Sequence, residues 1–203
     1  MKLQRVLFPF LREPPPRSVE QLRAIVGARA HVSLVAASGD LAAEILALGR
    51  SHAPGLVALV ERKGLGPVVR ACPYPLLLLG SADGRAAALK RIVVPVLREP
   101  SATGALLPAV SALARGADAT VVLLGLVASS GAAAVAEHAK AEARLDACHA
   151  LLRGVPALKR IVAGEATSAI TGAVEEEDLL ALHADDPWEA VVARARGPVL
   201  VSS

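Results

Sequence analysis

Two short groups of residues in this chain combine types that could bind a ligand. The first contains Arg62, Lys63, Gly64 and Gly66, around Leu65. Backbone amides of a glycine turn at a helix start, next to two cations, can hold a phosphate or another anion. The alternative interpretation is a tight turn whose charges are solvated. If the chain binds any anion, we expect it at this turn.

The second group is His183-Ala184-Asp185-Asp186, at the predicted carboxyl end of a strand. Open α/β sheets bind their ligands at that end, so these side chains could form a metal or acid–base site. The alternative is a strand-to-helix turn in which Asp186 caps a helix begun by Pro187.

Two further groups give weaker hypotheses. Cys148 and His149 are adjacent on a predicted helix and cannot face each other, which argues against a thiolate–imidazole pair. The acidic run 175–178 lies near a predicted helix end. It is interpreted as a solvated face, and the alternative is a docking patch for a basic partner. Because no nucleophile–base pair and no metal cluster is recognisable, we predict no enzyme, no catalytic residue and no metal.

Composition restricts the function further. The chain has 203 residues, 54% hydrophobic but only 2% aromatic, with a net charge of +3. So few aromatic side chains argue against nucleic-acid binding by base stacking. The two cysteines, Cys72 and Cys148, have no metal spacing, and a reduced cytoplasmic protein is expected. The uncharged segment 119–136 is long enough to span a membrane, but Ser129-Ser130-Gly131 in its middle favours a strand, a turn and a helix start.

The chain repeats itself. RVLFPFLREP (Arg5–Pro14) returns as RIVVPVLREP (Arg91–Pro100), with six of ten residues identical. Val57–Leu79 also aligns without gaps on Leu180–Ser202. The second copy is the longer one. We therefore divide the chain into residues 1–80, a linker 81–90 and residues 91–203.

Both copies alternate short buried strands with helices, which indicates an α/β fold with open parallel sheets. The second copy is predicted as strand Arg91–Leu97, helix Ser101–Gly116, strand Ala119–Val127, helix Ala132–Leu152, strand Ala157–Ala163, helix Thr167–Glu177, strand Leu179–His183, helix Pro187–Arg196 and strand Val199–Ser202. The first is predicted as strand Arg5–Leu11, helix Ser18–Ala28, strand His31–Ala36, helix Leu41–Ser51, strand Leu56–Val60, helix Leu65–Ala71 and strand Tyr74–Leu79, with one helix and one strand missing after its first strand.

These elements resemble the universal stress protein domain. The resemblance rests on RIVVPVL, DATVVLLGLV, VAGEATSAI and the closing PVLVS, with CPYPLLLL ending the first copy. It implies two fused flavodoxin/Rossmann-like units paired through their last strands, Tyr74–Leu79 against Val199–Ser202.

Many members of that family bind ATP, which implies an acidic residue after the first strand and a glycine-rich phosphate loop. This chain has Leu11 and Leu97 at the acidic position, and it lacks the loop in both copies. We therefore expect a stress-response protein that binds neither ATP nor another cofactor. It would act through contacts with a protein partner or through self-association, for example as a homodimer. The alternative is a sensor of ATP, AMP or another small ligand.

The duplicated Leu-Arg-Glu-Pro, at Leu11–Pro14 and Leu97–Pro100, occupies the family's ligand turn. It is interpreted as a turn needed for packing or for contact between the copies. A new binding turn is the alternative.

Overall fold

The structure is a computed structural model of the whole chain. It describes residues 5–10, 14–28, 30–37, 40–52, 54–60, 65–80, 88–99, 103–104, 106–127 and 132–202. The linker residues 81–87 and the turn residues 11–13 and 61–64 lie outside the described ranges.

Strands and helices alternate from end to end, as the sequence predicts. The strands are β1 (Arg5–Phe10), β2 (His31–Ala36), β3 (Leu56–Leu59), β4 (Leu76–Leu78), β5 (Arg91–Pro95), β6 (Thr120–Val127), β7 (Ala157–Ala163), β8 (Leu179–His183) and β9 (Val199–Ser202). The helices are α1 (Pro16–Val26), α2 (Leu41–His52), α3 (Gly66–Ala71), α4 (Leu107–Ala117), α5 (Ala132–Leu151), α6 (Ala166–Ala173) and α7 (Trp188–Arg194).

All nine strands form one sheet, in the order β2-β1-β3-β4-β9-β8-β5-β6-β7. Every neighbouring pair is parallel except β4 and β9, which are antiparallel. This confirms the predicted fold class, including the pairing of the two halves through their last strands. No described helix is long and apolar enough to cross a membrane, and the uncharged segment supplies β6 and the start of α5.

The strand registers of the two halves correspond residue by residue. Val6 pairs with Leu56 in the first half, and their counterparts Ile92 and Leu179 pair in the second. At the junction Leu77 pairs with Leu200, and these two residues are counterparts in the repeat. Such self-complementary pairing is the geometry of a two-fold interface, here between two halves of one chain.

Helices cover both faces of the sheet. One buried cluster joins the sheet to α1, α4 and α5, through residues such as Leu22, Leu113 and Leu145. The other joins it to α2, α3, α6 and α7, through residues such as Ile45, Val69 and Val191. Each cluster contains residues of both halves, so the two copies share their core.

The place of β2 in the sheet corrects the expectation that the first copy lacks a helix and a strand directly after its first strand. Phe8 pairs with Leu34 in β2, just as its counterpart Val94 pairs with Leu123 in β6. Strand β2 therefore takes the position of β6. The described part of the first copy has no helix and no edge strand equivalent to α5 and β7, so the missing elements belong after the second strand and not after the first.

Helix α4 differs from its prediction at both ends. It starts at Leu107, later than the predicted Ser101, which lies outside the described residues. Gly116, predicted as the stop, lies inside the helix, which ends where Asp118 adopts a left-handed conformation with φ 55°. Gly116 packs closely on α1: a Cβ there would lie 3.2 Å from the carbonyl oxygen of Val26, a tight contact.

Candidate functional site

The second half has its crevice where the chain reverses direction across the sheet, between β5 and β8. From β5 the chain moves outward through β6 and β7, and it then returns to β8 on the other side. Ligands of open α/β sheets bind at the carboxyl ends of the strands on either side of such a reversal. The turn after β5 contains Arg98, and the turn after β8 contains Asp185 and Asp186.

An ion pair joins these two turns across the crevice. The Nη2 atom of Arg98 donates a hydrogen bond of 2.5 Å to the backbone oxygen of Asp185. Its Nε lies 3.6 Å from Oδ1 of Asp186, and its Nη1 lies 3.9 Å from Oδ2 of Asp185. The guanidinium thus occupies the space between the turns.

Asp186 is the buried member of this group, with 5% of its side chain exposed. Its Oδ2 accepts a hydrogen bond of 3.0 Å from the backbone N–H of His183. Burial raises the pKa of this carboxyl, while the hydrogen bond from the backbone N–H of His183 and the charge of Arg98 oppose the rise. The predicted cap is wrong: α7 begins after Pro187 with no side-chain cap, because the carboxylate bonds to the turn that precedes it.

The same contacts argue against a metal site. The Nδ1 atom of His183 accepts a hydrogen bond of 3.2 Å from the backbone N–H of Asp185, and it lies 3.7 Å from the Asp185 carboxylate. Among the described residues, no group of three His, Cys, Asp or Glu side chains is placed to hold a metal ion.

The described rest of the Leu-Arg-Glu-Pro turn has packing partners. Leu97 packs on the cluster that contains Trp188 and residues of both halves. Glu99 accepts a hydrogen bond of 3.3 Å from Nε of Arg144 in α5. The described part of this turn thus favours the packing interpretation.

Of the four candidate anion-binding residues in the first half, only Gly66 lies among the described residues; Arg62, Lys63 and Gly64 do not. Gly66 starts α3. A Cβ built on it would lie 3.2 Å from Oε1 of Glu189, so a carboxylate of the second half lies beside this helix start. The guanidinium of Arg70 lies beside it as well, with Nη2 3.4 Å from the same Cβ position, so the charges at this helix start favour neither an anion nor a cation.

The other candidates from the sequence, the two cysteines and the acidic run, have surroundings that indicate structural roles. Cys148 and Cys72 are both buried, and burial raises the pKa of each thiol, which disfavours the reactive thiolate. Asp178, the last residue of the acidic run, is buried and binds Arg91 through two hydrogen bonds of 2.8 and 2.6 Å. This pairing was not predicted, because nothing in the local spacing joins two such distant residues.

A cavity of about 420 Å³ lies elsewhere, at the amino ends of β8 and β9. Its walls carry opposite charges, from Glu175 and Glu176 and from Arg194 and Arg196. This mixed lining selects neither an anion nor a cation.

Comparison with known proteins finds the fold but no relative by sequence. No protein-family model and no curated protein matches this chain. A universal stress protein from Archaeoglobus fulgidus DSM 4304 superposes over 100% of this chain and 97% of its own, with a TM-score of 0.66 and 11% identity.

Two shorter structures match about half of the chain. A universal stress protein from Archaeoglobus fulgidus, and the universal stress protein from the same organism in complex with dAMP, each cover 56% of this chain, with a TM-score of 0.52 and 17% identity. They are covered over 93% and 98% of their own lengths. At these identities the comparisons show that the chain has the fold of universal stress proteins.

Proposed function

We propose that this chain is a tandem universal stress protein-like regulator that does not bind ATP and acts through protein contacts. The carrying observation is the ion pair of Arg98 with Asp185 and Asp186. In the family, this crevice is where nucleotide would be expected. Here it holds a guanidinium, and two carboxylates stand where a triphosphate would need backbone amides and cations.

The electrostatics oppose a polyphosphate on one side of the crevice. Asp185 is largely exposed, with 66% of its side chain accessible, so its negative charge lies at the surface of this site. A triphosphate would have to replace the carboxylates as the partner of Arg98, leaving the buried Asp186 without its cation. Breaking a fully buried ion pair costs on the order of 3 to 5 kcal/mol; the cost here is smaller, because Arg98 is half exposed and Asp186 keeps its hydrogen bond from His183.

A second candidate is a sensor of AMP or another small ligand. It is favoured by the dAMP complex of a universal stress protein that shares this fold. The Arg62-Lys63 turn is its most suitable place in this chain. In the repeat, these two cations take the positions of Asp185 and Asp186, so the charge of the turn is reversed between the copies.

Calorimetric titration of nucleotide-free protein with Mg-ATP, ADP and AMP separates the two candidates. We expect no heat of binding at millimolar nucleotide. Trp188, the single tryptophan, lies at the start of α7 next to the crevice, and its fluorescence gives an independent readout. Micromolar binding would overturn the proposal.

If nucleotide does bind, two variants locate the site. Arg62→Ala with Lys63→Ala abolishes binding at the first-half turn, and Arg98→Ala changes binding only at the second-half crevice. An unchanged affinity in the first variant would exclude the Arg62–Gly66 turn as the anion site.

A further inference from the structure

Strand β2 ends the sheet on one side, and its surroundings differ from those of its counterpart β6. In the second half, β6 lies between β5 and β7 and is covered by α5. Leu123 of β6 is fully buried there, with 0% exposed. Leu34, at the same position in β2, is 49% exposed. The abridgement of the first copy thus removes both the strand and the helix that would cover Leu34.

Among the described residues, no strand pairs with the outer edge of β2. Ala37 donates its N–H to Phe10 of β1. Alternate residues of a strand direct their backbone groups to opposite edges, so Ser33 and Val35 also face β1. The N–H and C=O groups of Val32, Leu34 and Ala36 therefore point away from the sheet, in position to bond a further strand.

Charge distinguishes this edge from the opposite one. Strand β7, at the other end of the sheet, exposes Lys159 and Arg160, and such charges protect an edge against pairing with another sheet. Strand β2, HVSLVA, contains no Lys, Arg, Asp or Glu and no proline. A second copy of β2 can therefore approach it without bringing like charges together, whereas two β7 strands cannot.

We propose that this chain forms a homodimer in which two β2 strands pair antiparallel about a two-fold axis at Leu34. In this register the outward groups of Leu34 bond those of Leu34 in the second copy, and the groups of Val32 bond those of Ala36. Both Leu34 side chains then meet on the face that lacks an equivalent of α5. The junction of β4 with β9 pairs two equivalent edge strands in the same antiparallel manner inside the chain.

The second copy is the occupant that this edge suits best, because an uncharged strand whose outward groups repeat symmetrically is complementary to itself. The contact is small: six residues and the adjoining helix surfaces bury less than the roughly 1,200 Å² of a stable interface. We therefore expect dissociation in the micromolar range. The homodimer rests on the proposed function and names one protein partner for it. Its test uses no nucleotide, so the homodimer and the proposed function can fail independently.

Light scattering coupled to size exclusion tests the proposal with three proteins, from about 1 to 200 µM, a range that brackets micromolar dissociation. We expect the wild type to pass from monomer to dimer mass. Leu34→Lys should remain monomeric at every concentration. Leu158→Lys, at a leucine on the β7 edge that is 61% exposed, is the matched control and should dimerise as the wild type does.

Amide hydrogen exchange of the wild type identifies the edge directly. In the dimer the N–H of Leu34 becomes protected, whereas those of Ser33 and Val35 are protected in monomer and dimer alike. Should Leu34→Lys fail to fold by circular dichroism, Ala36→Lys on the same edge takes its place. A wild-type monomer at the highest concentration, or a dimer that Leu34→Lys leaves intact, overturns the proposal. The proposal is also overturned if the N–H of Leu34 is protected from exchange only when a different protein is added.

Discussion

At the scale of single residues, the second half depends on pairs that join its turns to its strands. Arg91 at the start of β5 binds Asp178 just before β8, and Asp178 also accepts the backbone N–H of Glu175 at 2.7 Å. The hydrogen bonds with Asp178 raise the pKa of Arg91, so the cation stays charged throughout. This group fixes the turn between α6 and β8 and thereby the start of the strand that leads to the crevice.

Asp178→Ala should lower the free energy of unfolding by about 3 kcal/mol, because Arg91 then loses its buried partner. The matched control is Glu175→Ala. Glu175 contacts the same guanidinium at 2.9 Å but is 78% exposed, and exposed pairs contribute about 0 to 1 kcal/mol. Urea unfolding of both variants measures the difference. Equal losses would show that burial of Asp178 is not what matters.

Glu165 makes the stability of the protein depend on pH. It precedes α6 and accepts hydrogen bonds from the backbone N–H groups of Thr167 and Ser168, which lower its pKa from 4.5 to about 2. A carboxyl whose folded pKa is depressed stabilises the fold above its ordinary pKa. That stabilisation is lost as the pH falls from about 4.5 to 2.

Glu165→Ala should therefore melt below the wild type at pH 6, and the two melting temperatures should converge as the pH approaches 2. Glu177→Ala, at an exposed glutamate before β8, serves as control and should follow the wild type. A gap between Glu165→Ala and the wild type that is constant with pH would exclude the carboxylate as the cap.

At the scale of elements, the strands were predictable, whereas the contacts between distant elements were not. The bounds of β2, β7, β8 and β9 agree with the prediction, because short runs ended by turn residues leave few alternatives. The stop of α4 was misplaced: Gly116 lies inside the helix and close to α1, and such a contact between distant segments has no local sequence signal. The acidic partners of Arg98 could not be predicted either, because they lie far from it in the sequence. The sequence placed both crevice turns correctly but could not reveal the ion pair between them.

Gly197 tests one such contact between elements. It precedes β9, and a Cβ on it would lie 2.6 and 2.7 Å from the carbonyl oxygens of Glu176 and Asp178. Because those atoms are backbone, Gly197→Ala should destabilise the protein by about 1 to 3 kcal/mol. Gly172→Ala, in α6, meets nothing within 4 Å and should be neutral or stabilising by up to about 1 kcal/mol. Thermal melts compare the two, and a harmless Gly197→Ala would mean that the turn before β9 yields easily.

At the scale of the whole molecule, the two halves are held together by more than their linker. Leu77 and Leu200 pair at the junction of β4 and β9, and both are fully buried. On one face α1 meets α4, where a Cβ on Gly27 would lie 2.6 Å from the carbonyl oxygen of Gly116. Both core clusters take residues from each half, so separating the halves would expose apolar surface on both faces of the sheet. The resemblance to universal stress proteins implied this pairing of β4 with β9, and the structure confirms it.

Cutting the linker should therefore leave the molecule assembled. A protease site inserted between residues 81 and 90 and then cleaved should give two fragments on a denaturing gel that still elute together, at the volume of the uncut protein, in native size exclusion. The fragments should separate only in denaturant, because the shared core and the β4–β9 pairing, and not the covalent connection, hold them. The uncut protein should likewise unfold in one transition, since neither half buries its apolar face alone. Fragments that part in native buffer, or two separate unfolding transitions, would show that the halves are independent domains and that the continuous sheet contributes little to stability.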